Sequence, residues 1–225
     1  MSPTGEPFDP SLVVFAALAI FVVWKLRSVL GIRVDREPPA AQFAPPPVRN
    51  APLPGAPPAE DVVPLAPQER WKGVIDKEDA APALDAIARA DSRFDGRGFL
   101  DGARRAYEMI VGAFAKGDRD ALRPLLSKEV YDGFAHEIAR REAAGETLET
   151  AVVAIDQAVI DSALAEPRRN EITVHFAVRL ISIRRDKSGE TIEGGNTLPV
   201  EELWTFARDP RASDPNWKLI ATRAV

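Results

Sequence analysis

The 225-residue chain contains no cysteine and only two histidines, His136 and His175. The missing thiols exclude disulfides, and with so few histidines a thiolate or multi-histidine zinc site is excluded as well. A basic excess is also absent. The whole chain carries a net charge of −5, and from Asp91 onward 20 Lys and Arg against 23 Asp and Glu leave −3. That balance is not the footprint of a nucleic-acid binder, so no nucleic-acid partner is expected. No G-x-S-x-G, Gly-rich phosphate loop or metal-ligand spacing occurs, and no cofactor or metal is expected. Long apolar runs are scarce too: one stands out, residues 12–24 (LVVFAALAIFVVW).

Thirteen uncharged residues at about 1.5 Å each cover roughly 20 Å, short of a ~30 Å hydrocarbon core. Length alone leaves a signal-peptide core or a buried helix open, so the flanks decide. Glu6 and Asp9 precede the run, Lys25, Arg27, Arg33 and Arg36 follow it, and KLRSVLGIR offers no A-x-A cleavage site. With Lys25 and Arg27 snorkelling, the helix extends through Val29, Leu30 and Ile32 to about twenty residues. Residues 1–36 therefore read as an uncleaved single-span anchor whose partner is membrane lipid. Leu12, Phe15 and Ile20 lie in its span, and Trp24 lies near an interface. The positive-inside rule gives an N-out protein in the cell inner membrane, with its C-terminal domain cytoplasmic.

Residues 37–67 follow as a disordered Pro-rich linker, with eleven prolines between positions 38 and 67. Proline fixes φ and removes donors, so extended polyproline II is favoured, reaching on the order of 90 Å if straight. A Pro-x-x-P ligand for an aromatic groove is the alternative to a plain spacer. Residues 68–90 read as linker and short helix. Pro82 suits the first turn of that helix, with Leu84, Ile87 and Ala88 on one face. Arg70, Trp71 and Lys72 form a cationic-aromatic cluster, a candidate lipid contact unless Trp71 packs onto its own domain.

Residues 91–225 read as one α+β domain. Phe99, Ala103, Ala106, Tyr107, Ile110, Val111 and Phe114 recur at helical spacing up to Gly117. Asp118 suits the N-cap of a short helix carrying Leu122, Leu125 and Leu126, and Ser127 caps a third helix through Val130, Phe134 and Ile138 to Gly145. The period then changes. Residues 151–164 form a long, mostly apolar strand. In 171–184, Ile172, Val174, Phe176, Val178 and Leu180 alternate with Thr173, His175, Ala177 and Arg179. A short strand near Thr191 and Ile192, a turn at Gly194-Gly195-Asn196, and strands over 200–207 and 217–222 complete the pattern. Helices before strands predict helices packed on one face of a curved antiparallel sheet, enclosing a concave pocket.

The run FDGRGFLDGARRAYEMIVGAFAKGDRDALRPLLSKEVYDGFAHEIARRE, with EELWTFARD and DPNWKLIAT downstream, resembles the TIM forty-four-like domain family. That family includes the mitochondrial import motor anchor and bacterial TimA-type relatives. The marks that match are Phe94, Phe99, Tyr107, Ile110, Gly117 and Asp118, then Leu122, Leu125, Leu126, Tyr131 and Phe134, then Trp204, Phe206, Trp217 and Thr222. The resemblance implies a nuclear-transport-factor-two-like cone and a membrane-associated adaptor role rather than catalysis. A membrane or translocating protein is then the implied partner.

Cone folds also host isomerases and dehydratases acting on small apolar molecules, which need a carboxylate or histidine base in the cavity. The candidates are His175, Asp156 and Glu202. His175 shares a polar strand face with Thr173 and Arg179, and His136 reads as the exposed side of its helix. Asp156 and Asp161, five apart, do not form a dyad. Tyr107, Phe134, Trp204, Phe206 and Trp217 are the candidate pocket or partner-binding residues. Arg168, Arg169, Arg184, Arg185 and Lys187 are a candidate basic rim. The expected function is a non-catalytic adaptor linked to protein translocation or membrane-protein assembly, with a membrane-tethered cone-fold enzyme as the alternative.

Overall fold

A computed structural model of the chain describes residues 70–225. The anchor over 1–36, with Leu12, Phe15, Ile20 and Trp24, and the linker over 37–67 lie outside the described residues. Among the described residues, no helix is long and apolar enough to cross a membrane.

Among the described residues, a short 3-10 helix (Glu78–Ala80) and four α-helices precede four strands: α1 (Ala81–Ala90), α2 (Gly96–Lys116), α3 (Arg119–Leu122), α4 (Lys128–Ala144), β1 (Thr147–Glu166), β2 (Arg169–Arg185), β3 (Thr191–Arg208) and β4 (Lys218–Ala224). The helix boundaries follow local chemistry. Asp95, Asp118 and Ser127 each accept an early helical N–H, from Gly98, Ala121 and Val130. Gly117 and Gly145 end α2 and α4 with φ of 72° and 70°, the left-handed conformation that a glycine takes without steric cost. Pro82 stands in the first turn of α1, where its missing N–H costs nothing.

The sheet is an antiparallel meander in the order β1-β2-β3-β4. Ile172, Val174, Phe176, Val178 and Leu180 of β2 are all buried, so the alternation in sequence becomes the inner face of the sheet. Short segments cover parts of both edge strands. Val74 and Asp76 exchange backbone bonds with Ile160 of β1, and Leu125 and Ser127 do so with Leu219 of β4.

Two expectations change. The turn at Gly194-Gly195-Asn196 is not a turn: β3 runs unbroken through it, as a bulge. Pairing steps from Ile181↔Thr197 to Ile183↔Gly194, so β3 carries one extra residue there. Gly194 and Gly195 absorb it at φ of 94° and 101°. A Cβ on Gly194 would lie 1.8 Å from the Ser182 carbonyl oxygen, so no other residue fits this crossing of backbones.

The second change is where the packed unit begins. Trp71, Val74, Leu84 and Ile87 are buried in the same core as Tyr107, Phe176 and Leu219. Residues 71–90 therefore belong to the domain rather than to a linker ahead of Asp91. Arg208 fixes the junction, donating to Asp91 Oδ2 at 2.7 Å while lying against the Trp217 ring. The Arg208 guanidinium holds the Asp91 carboxyl below its ordinary pKa.

Candidate functional site

Between the helices and the inner face of the sheet lies a cavity of about 70 Å³. Helix α2 brings Tyr107, Ile110, Val111 and Phe114 to it, one apolar stripe of a 3.6-residue period, and α4 adds Phe134. The strands contribute inward positions two residues apart: Leu148 and Thr150 of β1, Leu180 and Ser182 of β2, Glu202 and Trp204 of β3. Its wall is mostly apolar and aromatic. Tyr107 and Trp204 lie 4.4 Å apart by ring centroids, and Phe114 meets Phe134 edge-on at 5.0 Å.

Besides Thr222 of β4, two polar features interrupt that wall. Thr150 Oγ1 and Ser182 Oγ share a hydrogen bond of 3.0 Å across β1 and β2. The other is Glu202, which follows the parity of Trp204 and Phe206 and so points inward. The Tyr107 hydroxyl and the Trp204 indole N–H both donate to its Oε2, each at 3.0 Å. Burial pushes the Glu202 carboxyl above its ordinary pKa, and the two hydrogen bonds only partly oppose it. Burial, then the neighbouring Glu202 charge, then its hydrogen bond, push the Tyr107 hydroxyl far above the usual phenol range.

Of the five candidate pocket residues, Tyr107, Phe134 and Trp204 line the cavity. Phe206 and Trp217 do not. They pack with Phe99 into a second aromatic group, at 6.0 Å for Phe99–Phe206 and 5.1 Å for Phe99–Trp217. Phe94 links that group to Trp71.

The candidate lipid contact divides. Arg70 and Lys72 are exposed, but Trp71 is 2% exposed and its indole donates to Asp85 at 3.0 Å. Its ring meets the α2 N-terminus so closely that a Cβ on Gly96 would fall 2.8 Å from it. Trp71 is thus a core residue, with no face left for lipid. A basic rim does not form either. Arg169 pairs with Glu171, Arg184 with Glu146 and Glu193, and Arg185 with Glu149. The arginines also stand at opposite ends of the 17-residue β2, roughly 50 Å apart.

The other candidate bases lie away from the cavity. His175 is on the opposite face of β2, 3.3 Å from Glu201, and Asp156 forms a two-pronged pair with Arg179. Asp161 pairs with Lys77, and His136 is exposed. Among the described residues, no group of three or more His, Asp or Glu is placed to hold a metal ion.

Arg141 is a residue whose placement the sequence reading missed. Standing in the last turn of α4, it is nonetheless only 6% exposed and donates Nη2 to the carbonyls of Phe114 and Ala115 at 2.8 and 3.3 Å. Its guanidinium lies 4.7 Å above the Phe114 ring, bracing one cavity wall from behind. The signal was its position, three residues after Ile138 and seven after Phe134, on the buried stripe of α4.

An α+β domain with helices over one antiparallel sheet, and an aromatic cavity between the layers, is what these residues build. Residues 80–224 match the family model of the Tim44-like domain, and the chain belongs to that family. It is 24% identical over 153 residues to the mitochondrial import inner membrane translocase subunit TIM44 of Homo sapiens, covering 66% of this chain and 34% of that protein. The aligned region is thus about a third of the human protein. Among solved structures, the intermembrane space region of the chloroplast protein ARC6 superposes with a TM-score of 0.44 at 12% identity. That match covers 59% of this chain and 98% of that one.

Proposed function

We propose that the chain is a membrane-anchored, non-catalytic adaptor. Residues 1–36 hold it in the cell inner membrane, the Pro-rich residues 37–67 act as spacer, and the cytoplasmic domain docks a membrane or translocating protein. The observation that carries this reading is the Tim44-like match over residues 80–224, with a human relative that is named as a translocase subunit of an inner membrane. The helices-over-sheet arrangement supports a nuclear-transport-factor-two-like cone, and the mostly apolar cavity supplies a docking surface of the usual kind.

The test is crosslinking in membranes followed by mass spectrometry, comparing the full chain with one lacking residues 1–36. The adaptor reading expects partner capture to depend on the anchor. Equal capture of the same partners without it removes tethering from the account.

Glu202 favours a second reading, because a carboxylate in the cavity wall is what a cone-fold enzyme needs. Against turnover, both neutral donors beside it, Tyr107 and Trp204, are spent on its own Oε2, which leaves neither directed at a substrate oxygen. Deleting residues 1–36 separates the two: an enzyme keeps turning over its small apolar substrate in solution, whereas an adaptor loses its captured protein partner.

A further inference from the structure

Carboxylates drawn out of bulk solvent in this domain are commonly matched to a cation. Asp91 has Arg208 and Asp161 has Lys77, each at 2.7 Å, and Glu193 has Arg184 at 2.8 Å. Glu202 is different. Its two partners are neutral donors and both act on Oε2. Oε1 accepts no hydrogen bond, yet it is not among the side-chain atoms sealed from solvent without a partner. Glu202 lines the cavity, and its Oε1 is the carboxylate oxygen that no protein donor occupies.

A carboxylate with no countercharge in an apolar wall is costly, and a ligand cation relieves the cost. The rest of the wall suits the same ligand. Tyr107, Phe114, Phe134 and Trp204 contribute aromatic rings, whose faces attract an ammonium group more strongly once water is excluded. The space, about 70 Å³, is far below the ~300 Å³ at which drug-sized sites begin, so it takes a short chain and not a lipid or a ring system.

We infer that this cavity is a binding site for a primary alkylammonium group on a short apolar chain, with its nitrogen held against Glu202 Oε1. The source is either a free small amine or a lysine side chain of a protein partner. The site stands whether or not the adaptor reading holds.

The test uses the full chain, titrated at constant ionic strength with n-butylammonium and with n-butanol, its neutral counterpart. The readout is the shift of the Trp204 indole N–H resonance, assigned through Trp204→Phe. Binding of n-butylammonium is expected with a Kd on the order of 1 mM, and n-butanol at least about tenfold weaker. Glu202→Gln should weaken n-butylammonium by roughly tenfold or more and leave n-butanol unchanged. Equal affinity for amine and alcohol overturns the proposal, and that comparison needs no variant. An unchanged amine affinity in Glu202→Gln overturns it too. Nα-acetyl-lysine methylamide identifies the source. Binding on a par with n-butylammonium supports a lysine side chain, and binding by n-butylammonium alone supports a free amine.

Discussion

The Tyr107 hydroxyl reaches from α2 to Glu202 of β3 and donates at 3.0 Å across 95 positions of sequence. This bond joins the helical layer to the sheet inside the cavity. It also makes the carboxylate, rather than the tyrosine, the group presented to whatever enters. The Trp204 indole N–H fixes the same oxygen, so the orientation of Glu202 is set by two donors.

Glu202 gives stability a recognisable pH dependence. Its folded pKa lies above the unfolded value of about 4.3, so between the two the folded chain binds more proton than the unfolded one. Its contribution to stability therefore falls as pH rises through the folded pKa and is level below the unfolded one. Glu202→Gln keeps an acceptor for Tyr107 and Trp204 but loses the titration. The melting temperature of the variant relative to wild type should climb from about pH 4 upward and then level off. A difference that stays flat or shrinks contradicts the assignment.

Trp71→Ala should cost about 3–5 kcal/mol in urea denaturation, the usual range for emptying a buried tryptophan site. For the same reason a fragment of residues 91–225 should melt well below one of 70–225. With Trp71 enclosed and the strand-end arginines paired, residues 68–225 should not float with anionic vesicles.

Arg141→Ala should lose about 2–3 kcal/mol, from its charged hydrogen bonds to the end of α2 and its stacking on Phe114. Arg141→Met should cost less. Methionine restores much of the packing, and Arg141 Nη1 is buried without a partner, so removing the charge relieves a penalty. Chemical denaturation of the two variants side by side checks the order.

At Gly194 an added methyl group meets the Ser182 carbonyl oxygen at 1.8 Å and a φ of 94° that alanine rarely adopts. Gly194→Ala should cost at least about 1–3 kcal/mol. Hydrogen exchange should rise first in the β2–β3 pairing around Ile181–Ile183, not in the helices.

Much of this architecture was legible in the chain. The caps at Asp118 and Ser127, the glycines closing α2 and α4, and the alternation from Ile172 to Leu180 are local signals, and local geometry obeyed them. What failed depended on neighbours. Gly194-Gly195-Asn196 has the composition of a turn, and only the crossing of β2 decides that it is a bulge. Trp71 beside two cations left lipid contact and packing onto its own domain both open, and Asp85 of α1 with the gap at Gly96 of α2 decides for packing. For the site, Glu202 was named as a candidate base, and the structure puts it on the inner face two residues before Trp204. Its two donors come from α2 and from its own strand, and no spacing in sequence announces the first. Phe206 shares that parity, but its position farther along β3 sends it into the other aromatic group.

The central claim, that the domain docks a protein at this cavity while tethered, is tested most directly by a photoreactive residue placed in the full chain in its membrane. Val111 lines the cavity, whereas Val153 of β1 is exposed and does not. Crosslinking from position 111 should give a discrete protein adduct that is weak or missing from position 153. Equal adducts from both positions, or none from 111, would contradict the account.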